Sequence, residues 1–277
     1  MKVDKLRTVI IYIIIILLGL VCLLPLLNIV AISFSSSAAV EGNMVGLIPV
    51  GFSTAAYKKI LEDSQFWHSF LISVERVVLA LIINFVLIVL MAYPLSKTNA
   101  QFRGRNIYAN LMIFAMLFNG GMIPTFLVVK SYGLLNTVWA LVLPGAVPIF
   151  NVILVMNFFA AVPKELEEAA FIDGANPFQV LTKIFIPISK PVLATVSLFS
   201  IVGSWNDFYS GLIYMSKAAY YPLMTYIQSL QINVEDLIKQ GNLSAVVDSA
   251  SLGNTNLNAA KIVIAVIPLL LIAEIVE

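Results

Sequence analysis

The run Ile10–Phe34 is apolar apart from Pro25, Asn28 and a single serine, and it is longer than the roughly 20 residues that cross the hydrocarbon of a bilayer. A stretch of this kind has to be covered, and the rest of the chain lacks the polar material to face water around it. Only 11% of the 277 residues are charged, against about 25% in a typical soluble domain. The solvent for much of the chain is therefore lipid, and the predicted class is an all-α, polytopic membrane protein. Met1–Arg7 carries Lys2, Lys5 and Arg7 and resembles the basic flank of a signal peptide. The run that follows exceeds the roughly 7–15 residues of a signal core, so it reads as an uncleaved first span.

Further apolar runs at Val77–Leu95, Ile107–Val129, Val138–Ala161, Val192–Tyr214 and Ala259–Val276 bring the expected count to six transmembrane helices. The last is the weakest and has Lys261 at its start. Basic residues in short loops set orientation. Lys2, Lys5 and Arg7, then Lys97, Arg103 and Arg105, then Lys164, Lys183 and Lys190 would share one side if the amino terminus is cytoplasmic. The opposite side holds Lys58, Lys59, Lys130, Lys217 and Lys239, with Arg76 and Lys261 near the boundary. The two outside loops that matter are Ser35–Gln65 and Ser216–Asn258, the second rich in Asn242, Asn254, Asn256 and Asn258. No inverted repeat divides the chain, so residues 1–277 read as one membrane domain without an attached soluble domain.

Several chemistries are excluded. A net charge of +1 offers no electrostatic attraction for nucleic acid. Cys22 is the single cysteine, so no disulfide framework exists, and the single histidine, His68, excludes a His-Glu-x-x-His zinc site. No Gly-x4-Gly-Lys-Ser/Thr loop is present, so the chain is expected neither to hydrolyse ATP nor to be an enzyme. No paired acids lie deep in the spans to relay protons, and no nucleophile sits with a base.

The segment 162–190 departs from a simple bundle. It holds seven of the 31 charged residues, with three basic and four acidic side chains. Pro163 suits the first position of a helix, and Glu165, Glu167 and Glu168 favour the positive end of its dipole. Gly174 can take the left-handed conformation that ends a helix, Asn176 can cap the next with Pro177 at its first position, and Pro187 stops it. Two short helices joined at Asp173-Gly174-Ala175 are expected. Leu166, Ala169, Ala170 and Asp173 fall at helical spacing, which suits docking into a partner's groove, with Glu168 at the rim. The alternative is an interfacial hairpin lying on lipid. A DNA-reading helix pair is disfavoured by the local sum of −1.

Glu168-Ala169-Ala170, three residues, Gly174, nine residues, then Ile184-Phe185-Ile186-Pro187 resembles the EAA loop of ATP-binding-cassette importer permeases, with Ile186 in place of the usual leucine. Glu168-Ala169-Ala170-x-x-Asp173-Gly174-Ala175 and Gly203-Ser204-Trp205-Asn206-Asp207 are similar to the carbohydrate branch. Asn119-Gly120-Gly121-Met122-Ile123-Pro124 and Gly133-Leu134-Leu135-Asn136-Thr137-Val138-Trp139 look like the subgroup for oligosaccharides and polysaccharides, alginate importers included.

The resemblance covers residues 66–270. It implies a type I importer permease fold in the bacterial cytoplasmic membrane, with the loop as a coupling helix that docks on a cytoplasmic ATPase through Glu168, Ala169, Ala170, Asp173, Gly174, Ala175 and Pro187. It also implies two ATPase subunits that hold the ATP and magnesium, a paralogous second permease subunit, an external solute-binding protein and a carbohydrate cargo. Family members usually continue the last span into an aromatic, basic tail, whereas this chain ends at Ala273-Glu274-Ile275-Val276-Glu277.

Trp205, Asn206, Asp207 and Asn151 are the candidate translocation-path residues, since sugar sites combine aromatic faces with amide and carboxylate hydrogen bonds. Polar helix–helix contacts are the alternative role for them. Glu75 and Arg76 precede 19 apolar residues, enough to span without burying either charge, so they read as interfacial, with a pathway role as the alternative. Trp67, Trp139, Tyr214, Tyr220 and Tyr221 read as interface anchors. A self-sufficient channel or secondary transporter, and a scaffold that moves nothing, are the rival functions.

Overall fold

The computed structural model describes residues 2–230 and 255–276; the expectations for Lys239, Asn242, Asn254 and Glu277 fall outside them. Among the described residues every regular element is helical. The first, α1 (Lys2–Ser33), is apolar all round from Val9 to Leu27, with Ile11, Leu18 and Val21 at least half exposed. A helix without a polar face is stable in lipid and not in water. Two short helices follow, α2 (Ser37–Glu41) and α3 (Ala55–Glu62), and then the long α4 (Ser64–Leu95). At about 1.5 Å per residue its 32 residues reach about 48 Å, well beyond a hydrocarbon core of about 30 Å.

The expected third span is not one straight helix. It divides into α5 (Arg105–Leu117) and α6 (Met122–Ser131), bent by 113° at Asn119-Gly120-Gly121. Gly121 has φ +89, a conformation that costs a residue with a Cβ, and Asn119 Oδ1 accepts from the Gly121 N–H at 2.9 Å to hold the turn. The fourth bends by 47° between Val138–Gly145, which begins with α7 (Val138–Val142), and α8 (Ile149–Ala160), where Pro144 and Pro148 remove backbone donors. After α8 come α9 (Lys164–Ile172), α10 (Pro177–Ile188), α11 (Lys190–Asn206) and α12 (Tyr209–Tyr214), and α13 (Thr255–Val276) closes the order. Singly, two helices are long and apolar enough to cross a membrane, and up to five qualify if each bent pair is one span; Thr255–Leu271 is a shorter apolar helix.

The chain forms two compact units. The first comprises Met1–Trp67 and Tyr226–Leu270. Within it the Phe34 ring stacks on Phe52 at 5.6 Å and Tyr57 at 4.8 Å, and Asn28, the polar interruption of α1, donates to the Gly46 carbonyl at 2.7 Å. The Asn256 amide reaches the Ser35 carbonyl at 3.3 Å.

The second unit comprises His68–Thr225 and Leu271–Glu277. Its main core packs the carboxyl-terminal half of α4 (Ile88, Val89, Ala92) against α8 (Val152, Val155, Phe159), α10 (Val180, Leu181, Phe185) and the start of α11 (Val192, Leu193, Val196). Phe185 is its centre, meeting Tyr93 edge-on at 5.1 Å and Phe159 at 5.4 Å. Arg76 is not interfacial. It is 4% exposed and turned inward along α4, while Glu75 beside it is exposed. Tyr214 is also no interface anchor: it is buried with Val129, Ala140 and Leu141.

Candidate functional site

The 162–190 segment folds by the local signals its sequence carries. Pro163 is the N-cap of α9, one position before the expected one, and Glu165 and Glu167 occupy the first turn. Gly174 takes φ +83 and ends the helix. Asn176 Oδ1 then accepts from the Gln179 N–H at 2.9 Å while Gln179 Oε1 accepts from the Asn176 N–H at 2.9 Å, a reciprocal cap with Pro177 behind it. Pro187 does not stop α10 where expected. A π-helical turn over Leu181–Phe185 precedes it, and the helix continues to Ile188. Proline has no N–H and its ring crowds the carbonyl four residues back, so a wider turn lets the helix pass through it. Ser189 ends it, and α11 leaves at 84°.

The segment formed by α9 and α10 presents two different faces. Glu168, Ala169, Asp173, Gly174 and Pro187 are exposed, while Ala170 and Ala175 are half-buried against the core. Ile172 and Phe178 stand 86% and 66% exposed beside them, so the outward face is apolar with a charged rim. Such a face suits a protein groove.

Glu167 is the one buried residue of α9. Its carboxylate lies 2.7 Å from the Nζ of Lys97, just past the end of α4, and accepts from the Tyr93 hydroxyl at 3.5 Å. The Lys97 ammonium also sits 4.2 Å from the ring centroids of Tyr93 and Phe185. Burial pulls Lys97 below its ordinary value, and Glu167 draws it part of the way back. Sequence reasoning placed Lys97 only as a loop charge and Glu167 only as a dipole partner. They are 70 positions apart, and no sequence signal joins them.

A second feature lies towards the opposite end of α4. A cavity of about 260 Å³ is lined by Arg76, Asn84, Asn151, Ser200, Ser204 and Asp207, among others. Arg76 Nη1 donates to the Asp207 carbonyl at 2.8 Å, and Nη2 donates to the Asp207 carboxylate and to the Leu141 carbonyl. The other carboxylate oxygen of Asp207 accepts from the Ser210 N–H at 3.1 Å. Asp207 thus interrupts the fifth apolar run between α11 and α12, starts α12, and neutralises a buried guanidinium. Among the described residues Arg76 Nε has no partner. Asn84 meets Ser200 at 3.3 Å.

Of the four candidate path residues, Asn151 and Asp207 line this cavity. Trp205 is buried and packs edge-on against Phe70 at 5.7 Å, and Asn206 is exposed. Arg76, Asn84 and Ser200 join the cavity instead. Helical spacing puts Arg76, Ala80 and Asn84 on one stripe of α4, which is the signal that pattern reading left unused. Amide, hydroxyl and compensated charge in one cavity can exchange hydrogen bonds with a polyhydroxylated solute.

The sequence matches, over residues 2–276, the family described as binding-protein-dependent transport system inner membrane component. It is 40% identical over 252 residues to the protein LplC of Bacillus subtilis (strain 168), covering 91% of this chain and 84% of that protein. It is 37% identical over 274 residues to the polygalacturonan/rhamnogalacturonan transport system permease protein YtcP of the same organism, covering 99% and 94%. A chain in the crystal structure of a bacterial ABC transporter involved in the import of the acidic polysaccharide alginate superposes with a TM-score of 0.86 at 31% identity, covering 100% of this chain and 97% of that one. The breaks at Gly121 and Asp207 and the helix pair between α8 and α11 therefore sit in an importer fold, and the chain belongs to the family of inner-membrane components of binding-protein-dependent transport systems.

Proposed function

We propose that this chain is one transmembrane subunit of an ATP-driven importer that carries a carbohydrate across the bacterial cytoplasmic membrane, with its amino terminus in the cytoplasm. The observation that carries the reading is the α9–α10 lever: exposed Glu168, Ala169 and Ile172 on α9, a helix whose one buried side chain is an ion-paired glutamate, with exposed Phe178 on α10 beside them. A lipid-lying hairpin does not call for an exposed carboxylate at Glu168 among small residues. In this reading two cytoplasmic ATPase subunits dock here and hold the ATP and magnesium, and the chain hydrolyses none itself. A paralogous permease completes the path, and an external binding protein delivers the cargo.

The cargo class is an oligo- or polysaccharide. The names of the relatives, polygalacturonan/rhamnogalacturonan for YtcP and alginate for the solved transporter, favour an acidic glycan. The cavity around Asn84, Asn151 and Asp207 is the part of this chain best furnished to meet sugar hydroxyls. ATP-driven closure of the ATPases moves the lever, and the broken helices rock between inward-open and outward-open arrangements.

Co-purification tests the reading. The native membrane complex should contain an ATPase, a second permease and a binding protein, and oligogalacturonate or oligoalginate should stimulate its ATP hydrolysis. Glu168→Lys and Gly174→Pro should insert normally and lose ATPase association or uptake. Normal uptake by both variants, or solute transport by this chain alone in liposomes, overturns it in favour of a self-sufficient channel or secondary transporter.

A further inference from the structure

Two charged contacts lie along one helix, one within it and one just past its end. Lys97, just past the end of α4, holds Glu167 of the lever, and Arg76, within α4, holds Asp207 at the break after α11. Between Arg76 and Lys97 lie 21 residue steps, about 31 Å of chain at 1.5 Å per step. The main chain links the same two points by another route, from α9 through α10, across the 84° bend at Ser189, and along α11 to Asp207. The two routes close a frame whose sides are α4 and α11.

The corners differ in how they are held. Ser189 is a bend between two helices; Pro187 and Pro191 on either side of it donate no backbone hydrogen bonds, and among the described residues its hydroxyl has no partner. The ion-paired corners resist sliding, because separating either pair leaves a buried charge uncompensated. Arg76 is 4% exposed, and Lys97 and Glu167 side chains are each 11% exposed. Resting on the proposed function, we infer that α4 is a strut that makes the lever and the Asp207 break move as one body, with Lys97, Glu167 and Arg76 as positioning residues. Without the Lys97–Glu167 tie, α9 swings about Ser189 and its displacement does not reach the cavity.

The test uses the assembled complex with its ATPase in lipid nanodiscs, in a Cys22→Ser background carrying Ser204→Cys as a reporter in the cavity. The rate of modification by a membrane-impermeant maleimide is read with and without ATP and vanadate. With the native pair the rate should change about fivefold or more on trapping. Glu167→Gln and Lys97→Met should keep the ATPase bound and hydrolysing, yet lose that change. Lys97→Arg, and the exchange Lys97→Glu with Glu167→Lys, should restore it.

Undiminished change in Glu167→Gln and Lys97→Met complexes overturns the strut. If the single variants fail to assemble, the exchange decides: an exchanged complex that assembles and hydrolyses ATP without any change in labelling overturns it as well. A native chain that binds no ATPase overturns the proposed function instead, so the two failures are told apart by the association readout.

Discussion

Lys261 and Asp63, 198 positions apart, meet at 2.9 Å through Nζ and Oδ2, and the Tyr226 hydroxyl reaches the same oxygen at 2.9 Å. The other oxygen of Asp63 accepts from the Phe66 N–H at 3.0 Å and so caps the start of α4. One carboxylate therefore begins the long helix and anchors the last one, within the first unit. Lys261 is 3% exposed, so its charge depends on Asp63.

Burial pushes the Asp63 carboxyl up, but the hydrogen bonds from Lys261, Phe66 and Tyr226 outweigh it and hold the group below its ordinary 3.8. A depressed acid stabilises the fold above its unfolded value, and the contribution is lost as the pH falls through the folded one. Asp63→Asn keeps an acceptor for the Phe66 cap and removes the charge. At pH 7 it should cost about 2 kcal/mol, less than the 3–5 of a fully enclosed pair because Asp63 is partly exposed. In detergent melts the gap from the native chain should narrow as the pH drops below 3.8 and close below the folded-state value. A gap independent of pH would show that charge is not the cause.

Asp207→Asn should be the more damaging change at the cavity, at about 3–5 kcal/mol, because it keeps an acceptor for Ser210 but leaves the Arg76 guanidinium, 4% exposed, uncompensated. Arg76→Met should cost less, about 2 kcal/mol, because the Asp207 side chain it leaves unpaired is 29% exposed. The double variant should be more stable than Asp207→Asn alone. Arg76→Lys should not rescue, because an ammonium cannot span the Asp207 carbonyl, the Asp207 carboxylate and the Leu141 carbonyl together. A double-mutant cycle on melting temperatures measures all four.

Gly211, on α12, has no room for a side chain. A Cβ there would lie 2.1 Å from Thr225 Oγ1 and 2.8 Å from Thr225 Cβ. Gly211→Ala should cost about 1–3 kcal/mol by overpacking. Adding Thr225→Ala should return only part, because the Thr225 Cβ stays in the way and the bond from Thr225 to the Phe208 carbonyl is lost. Full recovery in the double variant would contradict this geometry.

Asn176→Ala removes the side-chain half of the reciprocal cap on α10 and should cost about 1 kcal/mol. The effect should be local, seen as faster amide hydrogen exchange over residues 178–180 with the core of α4 and α8 unchanged. Uniform acceleration would mean that α10 is held by something other than its cap.

The lever was largely legible because its determinants act within three or four residues. Gly174 needs a left-handed φ, Asn176 finds Gln179 three positions on, and neither depends on what packs nearby. Pro187 was misjudged because the neighbouring turn widened to admit it. The same locality explains the break at Gly121, where the Asn119-Gly120-Gly121 sequence was noticed for its resemblance and not for its geometry.

By itself the sequence determined that the chain lives in lipid, that it is helical, and that one short segment folds as a capped helix pair, because hydrophobic run length and capping chemistry are properties of contiguous residues. Only the tertiary structure decided which charges are buried and paired. Lys97 with Glu167, Arg76 with Asp207 and Lys261 with Asp63 are separated by 70, 131 and 198 positions, and no contiguous pattern joins either member of a pair to the other. A charge in a low-dielectric interior must find its opposite, and which opposite it finds depends on how the helices bend and pack.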